Sequence, residues 1–529
     1  LSEIEIGDLN SIGLIRDQEG HYIPPEALTF ARNVRAVPDG VERIGGQLRI
    51  FGSPPIVPHF ALPVQSPSST FWLYVSLTKG EVWNGTNHTD ITRAAGDYTA
   101  TETRQWNGTL LGGIPILNNG LDDPQYWPAL DVGVKLAKLL NWPAATKAAV
   151  IRSFGPYLIA LNTTEGGINY PHTLIWSHPA DPGALPISWD FTDPTMDAGR
   201  NALPDVGAGI ITDGLPLRGH FYIYKENSTW RMTQVGGQFI FNFDTFLESS
   251  GILAPRCVAL TGDGANHLVA TQDDIILHNG NTAQSLLTNR YKRYLNNTID
   301  TINYRNSFVF ANPYRDEMVF CYPEAGFTHP NRGLLWNYKN GQMGVLTEID
   351  VNYRNAAYGQ IESAPTEQWD QGTSLWQDFD GSWSDLSRRR VILCGITENN
   401  VLQQKFHAFD DPTTFTFDGV PFTGMVQREN LALLGKKRNG EWIVDFEKRK
   451  MLRRLWIRAA GGPISVRVGF TEQMNGLVSW TPAQTFTPNV QHWVDFFGSG
   501  RAVSVEFSAT VPFKVLSYKL EGEAIGEGI

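Results

Sequence analysis

Cysteine is nearly missing from this chain: three residues in 529, at Cys257, Cys321 and Cys394, odd in number and far apart. That pattern argues against a disulfide framework, and no C-x-x-C pair is present to seed a zinc site. Three buried free thiols are expected, as in a protein that folds in a reducing compartment. Long apolar runs are missing as well. None approaches the roughly 18 residues needed to span a bilayer. The opening "LSEIEIGDLN" has neither the basic nor the apolar region of a signal peptide. The N-x-T triplets at Asn84, Asn107 and Asn227 accordingly read as asparagine-rich turns rather than glycan acceptors.

Positive charge is also in deficit. Lys and Arg number 43 against 54 Asp and Glu, a net charge of -11. A protein that coats nucleic acid neutralises phosphates with surplus Lys and Arg, so that class is disfavoured. A weakly repulsive wall past which DNA slides is not. The chain has no G-x-S-x-G elbow, no phosphate-cradling glycine loop and no H-E-x-x-H pair. His172 and His178 flank "TLIWS" at a spacing that makes no helical ligand pair, and His220 and His267 precede strand-like runs. All four read as structural histidines. No catalytic residue, cofactor site or metal site is assigned.

What the chain does have is turn and strand material: Gly 51, Pro 31, Trp 16 and Phe 28, with 42% hydrophobic and only 18% charged residues. Short apolar runs alternate with Gly/Asn/Asp turns from about residue 68, as in "GHFYIYKENSTWRMTQVGG" and "SFVFANPYRDEMVFCYP". The fold class is all-β. "GEVWNGTNHTDITRA" and "DDIILHNGNTAQSLLTNR" repeat one pattern, a strand, an Asn-Gly turn and an apolar exit. Repeated hairpins point to a β-propeller with blades of about 40–45 residues, about six to eight of them. Three regions follow: an N-terminal arm and hairpin (1–55), a propeller-like domain (56–420) and a C-terminal sandwich-like domain (421–529). Helices are few. "DVGVKLAKLLNWP" places Val132, Leu136, Leu139 and Leu140 on one helical face, and "SLLTNRYKRYLNN" does the same with Leu287, Tyr291 and Leu295. Both are expected to be helical insertions between blades.

The charge pattern supplies the remaining candidates. The stretch 345–386 holds Glu348, Asp350, Glu362, Glu367, Asp370, Asp378, Asp380 and Asp385 against a single base, Arg354. With Trp369, Trp376 and Trp383 it offers an alternative reading, a glycan-binding or glycan-hydrolysing propeller with paired carboxylates. Arg388, Arg389 and Arg390 follow directly. The segment 436–456 carries Lys436, Lys437, Arg438, Lys448, Arg449, Lys450, Arg453 and Arg454 against Glu441, Asp445 and Glu447. An acidic and a basic segment in one chain can meet across a subunit boundary or along a channel; two unrelated solvated faces, or contact of the basic segment with DNA, are the other readings. In "IPPEALTFARNVRAVPDGVERIGG" Pro24-Pro25 enforces an extended approach, a helical turn is expected around Glu26–Phe30, and Asp39-Gly40 closes a hairpin. This segment is expected to be a docking arm offering Arg32, Arg35, Glu42 and Arg43 to neighbours, and removal of residues 1–22 is expected to impair assembly more than folding.

The ordered segments "GDLNSIGLIRD", "NVRAVPDGVERIGG", "WNGTLLGGIPILNNGLDDPQYW" and "LIWSHPADPGALPISWD" resemble a bacteriophage family. So do "DGLPLRGHFYIYKENSTWRMTQVGG", "GILAPRCV" and "HLVATQDDIILHNG". The chain is similar over residues 5–300 to the tail hub or nozzle proteins of short-tailed phages, related in role to packaged-DNA stabilisation proteins. The resemblance implies a propeller-based subunit in a homo-hexameric ring below the portal and adaptor. Such a ring narrows the DNA exit channel, retains packaged DNA and carries fibres, tailspikes or a needle. It implies a virion location, assembly in the host cytoplasm, passage of double-stranded DNA without sequence-specific binding, and no enzymatic activity.

Overall fold

The computed structural model describes residues 2–65, 69–237, 239–339, 345–361, 389–437, 441–473 and 476–527. Antiparallel strands dominate, and among the described residues they fall into seven small sheets, one of them continuous with a two-sheet unit, and two separate two-stranded hairpins. Six of the seven sheets are consecutive four-stranded meanders whose first strands are Phe60–Gln65, Asn107–Leu111, Thr146–Phe154, Ile211–Leu217, Val258–Leu260 and Phe308–Asn312. The seventh begins at Asn355–Gln360 and continues through Arg389–Cys394 and Phe406–Asp411. Each first strand packs against the first strand of the next sheet, and the seventh returns to Phe60–Gln65. This closed circuit is a seven-bladed propeller, numbered here as blades 1 to 7. It leaves no unprotected edge at the centre.

The local sequence explains the blades. In blade 1 the third and fourth strands, Gly80–Trp83 and His88–Asp90, are joined by the Asn84-Gly85 turn. Asn84 Oδ1 accepts from the backbone N–H groups of Thr86 (2.9 Å) and Asn87 (2.8 Å). Blade 5 repeats the device at the same place: Asn279 Oδ1 accepts from Asn281 and Thr282, each at 2.9 Å. Gly85 and Gly280 both take the positive φ the turn demands.

Blade 7 is completed out of sequence order. Its outer strand is Gly46–Ile50, paired antiparallel to Phe406–Asp411. The arm therefore closes the propeller, and the ring extends below residue 56. The rest of the N-terminal segment enters the C-terminal unit. Phe30–Arg32 lies between the last strand of blade 6, Leu346–Asp350, and Gly424–Leu431, so one ten-stranded sheet runs from blade 6 through Ala502–Ala509 to Ile464–Thr471. The facing sheet contains Val34–Val37, Gly40–Arg43, Phe513–Glu527, Lys448–Gly461 and Trp493–Gly500, with Ser2–Ile6 added along Phe513–Glu527. Alternating burial of Ile464, Val466 and Val468 against Val505, Phe507 and Val515 fills the space between the sheets. The same apolar cluster continues into blade 5 through Leu268 and Leu287. Propeller and sandwich thus share one core.

Two helical expectations meet different outcomes. Lys292–Thr298 is a helix between blades 5 and 6, with Leu295 buried. Residues 131–140 are not helical; turns lead into the short outer strand Ala137–Lys138 of blade 2. Leu136 packs in the cluster between blades 1 and 2, Leu139 in that between blades 2 and 3, and Leu140 stays exposed. The helical spacing arises from one strand feeding two cores. Glu26–Phe30 likewise is not a helix: a turn over residues 24–27, closed by Ala27 N–H to Pro24 O at 3.0 Å, leads into the strand that begins at Phe30. Cys257, Cys321 and Cys394 are buried free thiols. Among the described residues, no helix is long and apolar enough to cross a membrane.

Candidate functional site

Of the four residues expected to form a docking arm, Arg35 and Arg43 are buried, whereas Arg32 and Glu42 are half-buried and partly spent on ion pairs within the chain. Arg35 is buried, 2.8 Å from Glu317 and 2.7 Å from Asp410. Burial opposes its charge, but those two carboxylates hold its pKa above the ordinary arginine value. Glu317 is pushed up to about 7 by burial, with Arg35 opposing and Asp410 adding to the rise. Arg43 is buried and donates to the carbonyls of Phe415 (2.9 Å), Phe422 (3.0 Å) and Ile44 (3.3 Å), with the Phe422 ring 3.9 Å beneath it; burial lowers its pKa to about 10. Arg32 lies 3.8 Å from both Glu348 and Asp350, and Glu42 lies 3.9 Å from Arg315. The physical reason is topological. The hairpin lies at the edge of its sheet that abuts blades 6 and 7, so Arg35 and Glu42 meet Glu317, Asp410 and Arg315 there.

Glu348 and Asp350, read as part of an acidic surface, belong to the same junction. Glu348 is buried, accepts from Tyr291 Oη at 2.7 Å and pairs with Arg16 at 3.2 Å. Asp350 accepts from Asn33 Nδ2 at 2.6 Å and pairs with Arg332.

The basic residues 448–454 lie on Lys448–Gly461, a strand paired on both sides, and the charge of the described basic residues is largely spent within the chain. Arg449 pairs with Glu472 (2.6 Å), Arg453 with Glu523 (2.6 Å), Arg454 with Asp495 (2.9 Å) and Lys437 with Glu441 (2.9 Å). Lys448 is exposed, 4.0 Å from Asp445. Lys450 points inward to the carbonyls of Asp445, Lys448 (3.1 Å) and Arg501 (2.6 Å), and burial lowers its pKa to about 8. Lys436 sits on the strand Leu433–Lys436. Arg389 and Arg390 begin the second strand of blade 7, with Arg390 stacked 4.8 Å from the Tyr314 ring. Asp370, Asp378, Asp380, Asp385, Arg388 and Arg438 lie outside the described residues, as does the tryptophan-rich stretch around them.

The densest polar cluster lies at the mouth of the propeller axis, assembled from the chain just before the first strands of the blades. Arg256, two residues ahead of blade 5, hydrogen-bonds Gln105 Oε1, two residues ahead of blade 2. Gln105 Nε2 donates to Asn306 Oδ1, ahead of blade 6, at 2.8 Å. Arg354, directly ahead of blade 7, pairs with the Glu102 carboxylate and donates to its carbonyl at 3.0 Å. His59, directly ahead of blade 1, lies 3.2 Å from Glu102. Beneath them, buried Asp213 of blade 4 takes Arg152 of blade 3 (2.8 Å) and the Arg256 backbone N–H (2.8 Å). Because blades 2 and 5 stand on opposite sides of the ring, the Gln105–Arg256 contact crosses the axis.

The chemistry of this cluster is that of a clamp. Burial brings Arg256 and Arg354 down to about 10, so both remain charged at neutral pH. Burial, with Arg354 and Arg256 adding to it, holds His59 at about 4, hence neutral. Burial raises the nearby Cys394 to about 12 and Cys257 well above its ordinary value, so both thiols keep their protons. None of these groups exchanges a proton near pH 7, as a general acid or base must. Among the described residues no group of three or more His, Cys, Asp or Glu is placed to hold a metal ion.

His267, read as structural, is so. Its Nε2 meets the Pro216 carbonyl (3.1 Å) and its Nδ1 the Tyr224 hydroxyl (2.7 Å), which also lies 2.7 Å from His278 Nε2. The carbonyl fixes the proton of His267 on Nε2, so Tyr224 donates to Nδ1 and accepts from His278 Nε2–H. His178 Nδ1 accepts from Asp197 N–H at 3.0 Å, and His220 Nδ1 meets Thr233 Oγ1 at 2.9 Å. The axial residues and Tyr224 escaped the sequence reading because no motif marks them. Their one signal is position, a polar residue immediately before an inner strand.

No protein-family model matches this chain, and no curated protein matches it. Among solved structures it is similar to the AfRom2 CNH domain, at 8% identity and a TM-score of 0.34, over 70% of this chain and 99% of that one. It is also similar to PorZ of the type-IX secretion system of Porphyromonas gingivalis, at 10% identity and a TM-score of 0.32, over 86% of this chain and 46% of that one. An exo-β-1,3-galactanase from Phanerochaete chrysosporium aligns at 8% identity and a TM-score of 0.27, over 91% of this chain and all of that one. Likenesses this shallow carry nothing about function.

Proposed function

We propose that this chain is a structural virion protein, the tail hub or nozzle subunit of a short-tailed bacteriophage. In this reading six copies form a ring beneath the portal and adaptor, narrow the DNA exit channel, retain the packaged DNA and anchor fibres, tailspikes or a needle. The observation that carries it is the seam between the two halves of the molecule. Phe30–Arg32 stitches blade 6 to the sandwich in one continuous sheet, and Arg35, Glu317 and Asp410 pin the next hairpin to blades 6 and 7. A hinge between two domains normally exposes few bonds and moves. A subunit that holds pressurised DNA is served by the reverse, a joint made of backbone hydrogen bonds and buried ion pairs. The ordered segments over residues 5–300 supply the independent support.

The net charge of -11 suits passage of DNA, since strong phosphate neutralisation would hold it in place. The test is reconstitution. Purified chain mixed with the portal–adaptor complex of its phage is expected to give a sixfold ring by electron microscopy. A chain that stays monomeric and does not join that complex overturns the reading.

A further inference from the structure

Arg256 stands half-buried at the mouth of the propeller axis, and its guanidinium is only partly used. Nη2 donates to Gln105 Oε1. The Nε–H and Nη1–H groups make no hydrogen bond among the described residues, yet neither nitrogen is enclosed by the chain. A guanidinium presents two fork edges, Nε with Nη2 and Nη1 with Nη2. One acceptor oxygen on Nη2 occupies only one of them. An intact pair of donors therefore remains open to solvent.

The charges around this fork do not balance. The buried Asp213 carboxylate is filled. Arg152 Nη2 lies 2.8 Å from its Oδ1 and donates to its Oδ2 at 3.0 Å, while the backbone N–H groups of Gly214 and Arg256 donate to Oδ1 and Oδ2, each at 2.8 Å. Glu102 pairs with Arg354, which also donates to the Glu102 carbonyl at 3.0 Å. Cys257 and Cys394 lie nearby but keep their protons, and neutral His59 adds no negative charge. Within this cluster the guanidinium groups of Arg152, Arg256 and Arg354 thus share the carboxylates of Asp213 and Glu102 alone. The unmatched cation is Arg256. Protein has displaced much of its water, and burial brings it down to about 10.

We propose that the mouth of the propeller axis binds one small oxyanion, a carboxylate or a phosphate, on the open fork edge of Arg256. Two oxygens of such an ion match the spacing of the two N–H groups, and hydrogen bonds between charged partners are roughly twice as strong as neutral ones. A cation is repelled by the surplus positive charge, and a single-atom anion such as chloride gains nothing from the fork. The bridge to Gln105 already holds the guanidinium in place, so little side-chain freedom is lost on binding. The site lies within one chain, and the inference stands apart from the ring reading.

The test is isothermal titration calorimetry on the full chain with sodium phosphate and, separately, sodium acetate, the ionic strength held constant with sodium chloride. Saturable binding of at least one ion is expected, and the preferred ion tells phosphate from carboxylate. Arg256→Lys keeps the charge and loses the fork, and is expected to weaken binding about tenfold, roughly 1.4 kcal/mol. Gln105→Glu sets a carboxylate against the same guanidinium and is expected to abolish binding, with a retained melting transition showing that the chain still folds. Arg389→Gln removes an exposed arginine of blade 7 and is expected to change nothing, which separates a site from general attraction to positive charge. No saturable binding of either ion overturns the proposal. So does binding that Arg256→Lys and Gln105→Glu leave unchanged, or that Arg389→Gln weakens equally.

Discussion

Arg256 reaches across the propeller axis to the side-chain oxygen of Gln105, joining the entries of blades 5 and 2. Beneath that bridge Asp213 anchors both Arg152 and the Arg256 backbone. The propeller opening is thereby crossed by side chains that hold the ring's diameter.

Asp213→Asn is the sharpest probe of this arrangement. The carboxylate is buried, and its loss leaves the Arg152 guanidinium without a counter-charge. Removing one partner of a buried pair costs about 3–5 kcal/mol; the partial exposure of Arg152 places the expected loss near 3 kcal/mol by denaturant titration. A change below 1 kcal/mol would show that the axis does not brace the ring.

Arg35 holds two carboxylates at the seam, so Arg35→Ala is expected to be worse than Glu317→Gln. The first strands both Glu317 and Asp410 in the interior, whereas the second removes an acid that burial already keeps near pKa 7. Losses of about 3–5 and about 1–2 kcal/mol are expected. Chemical denaturation of the two variants decides the order.

Acid should weaken the contact between blades 4 and 5. Burial holds His267 at about 4 and His278 at about 3, below the ordinary value of 6.5. Between pH 6.5 and 4 the unfolded chain binds protons that the folded chain refuses. The stabilisation is therefore full above pH 6.5 and falls as pH drops. Glu81 and Glu317, both raised to about 7 by burial, push the opposite way between pH 4.5 and 7, because their folded forms take up protons there. The clean readout is a comparison with His278→Gln, whose amide can still face Tyr224. Wild type should lose stability more steeply than the variant between pH 6 and 4, by about 1.4 kcal/mol per pH unit. Equal slopes would refute the burial of a neutral His278 in the folded chain.

Deleting residues 1–22 should now damage folding, contrary to the sequence-based expectation. Ser2–Ile6 is paired along residues 518–522, Leu9 and Leu14 are in the core, and Arg16 holds Glu348. The truncated chain is expected to melt well below the intact one; an unchanged melting temperature would restore the free-arm picture.

Local chemistry was legible in the sequence and long-range pairing was not. The Asn-Gly turns at 84–85 and 279–280 announced their hairpins because everything they need lies within four residues. The hairpin at 34–43 was equally plain, although Gly40 serves a second purpose. A Cβ there would collide with the Val515 carbonyl, a contact that no local reading contains. The basic residues at 449–454 were visible as charge, but Glu472, Asp495 and Glu523 reach them only through strand pairing.

Phe30–Arg32 pairs with residues 425–427, and Ser2–Ile6 with residues 518–522. On the ribosome these first strands emerge hundreds of residues before their partners. Gly46–Ile50, the outer strand of blade 7, waits unpaired until residues 406–411 are made, and the sandwich lacks its central strand until residues 513–527 are made. Pairing at such sequence separations is slow and leaves strand edges open in the interim. The chain thus acquires its finished surface only once residues 513–527 are made, which ties competence for any partner to synthesis of that strand.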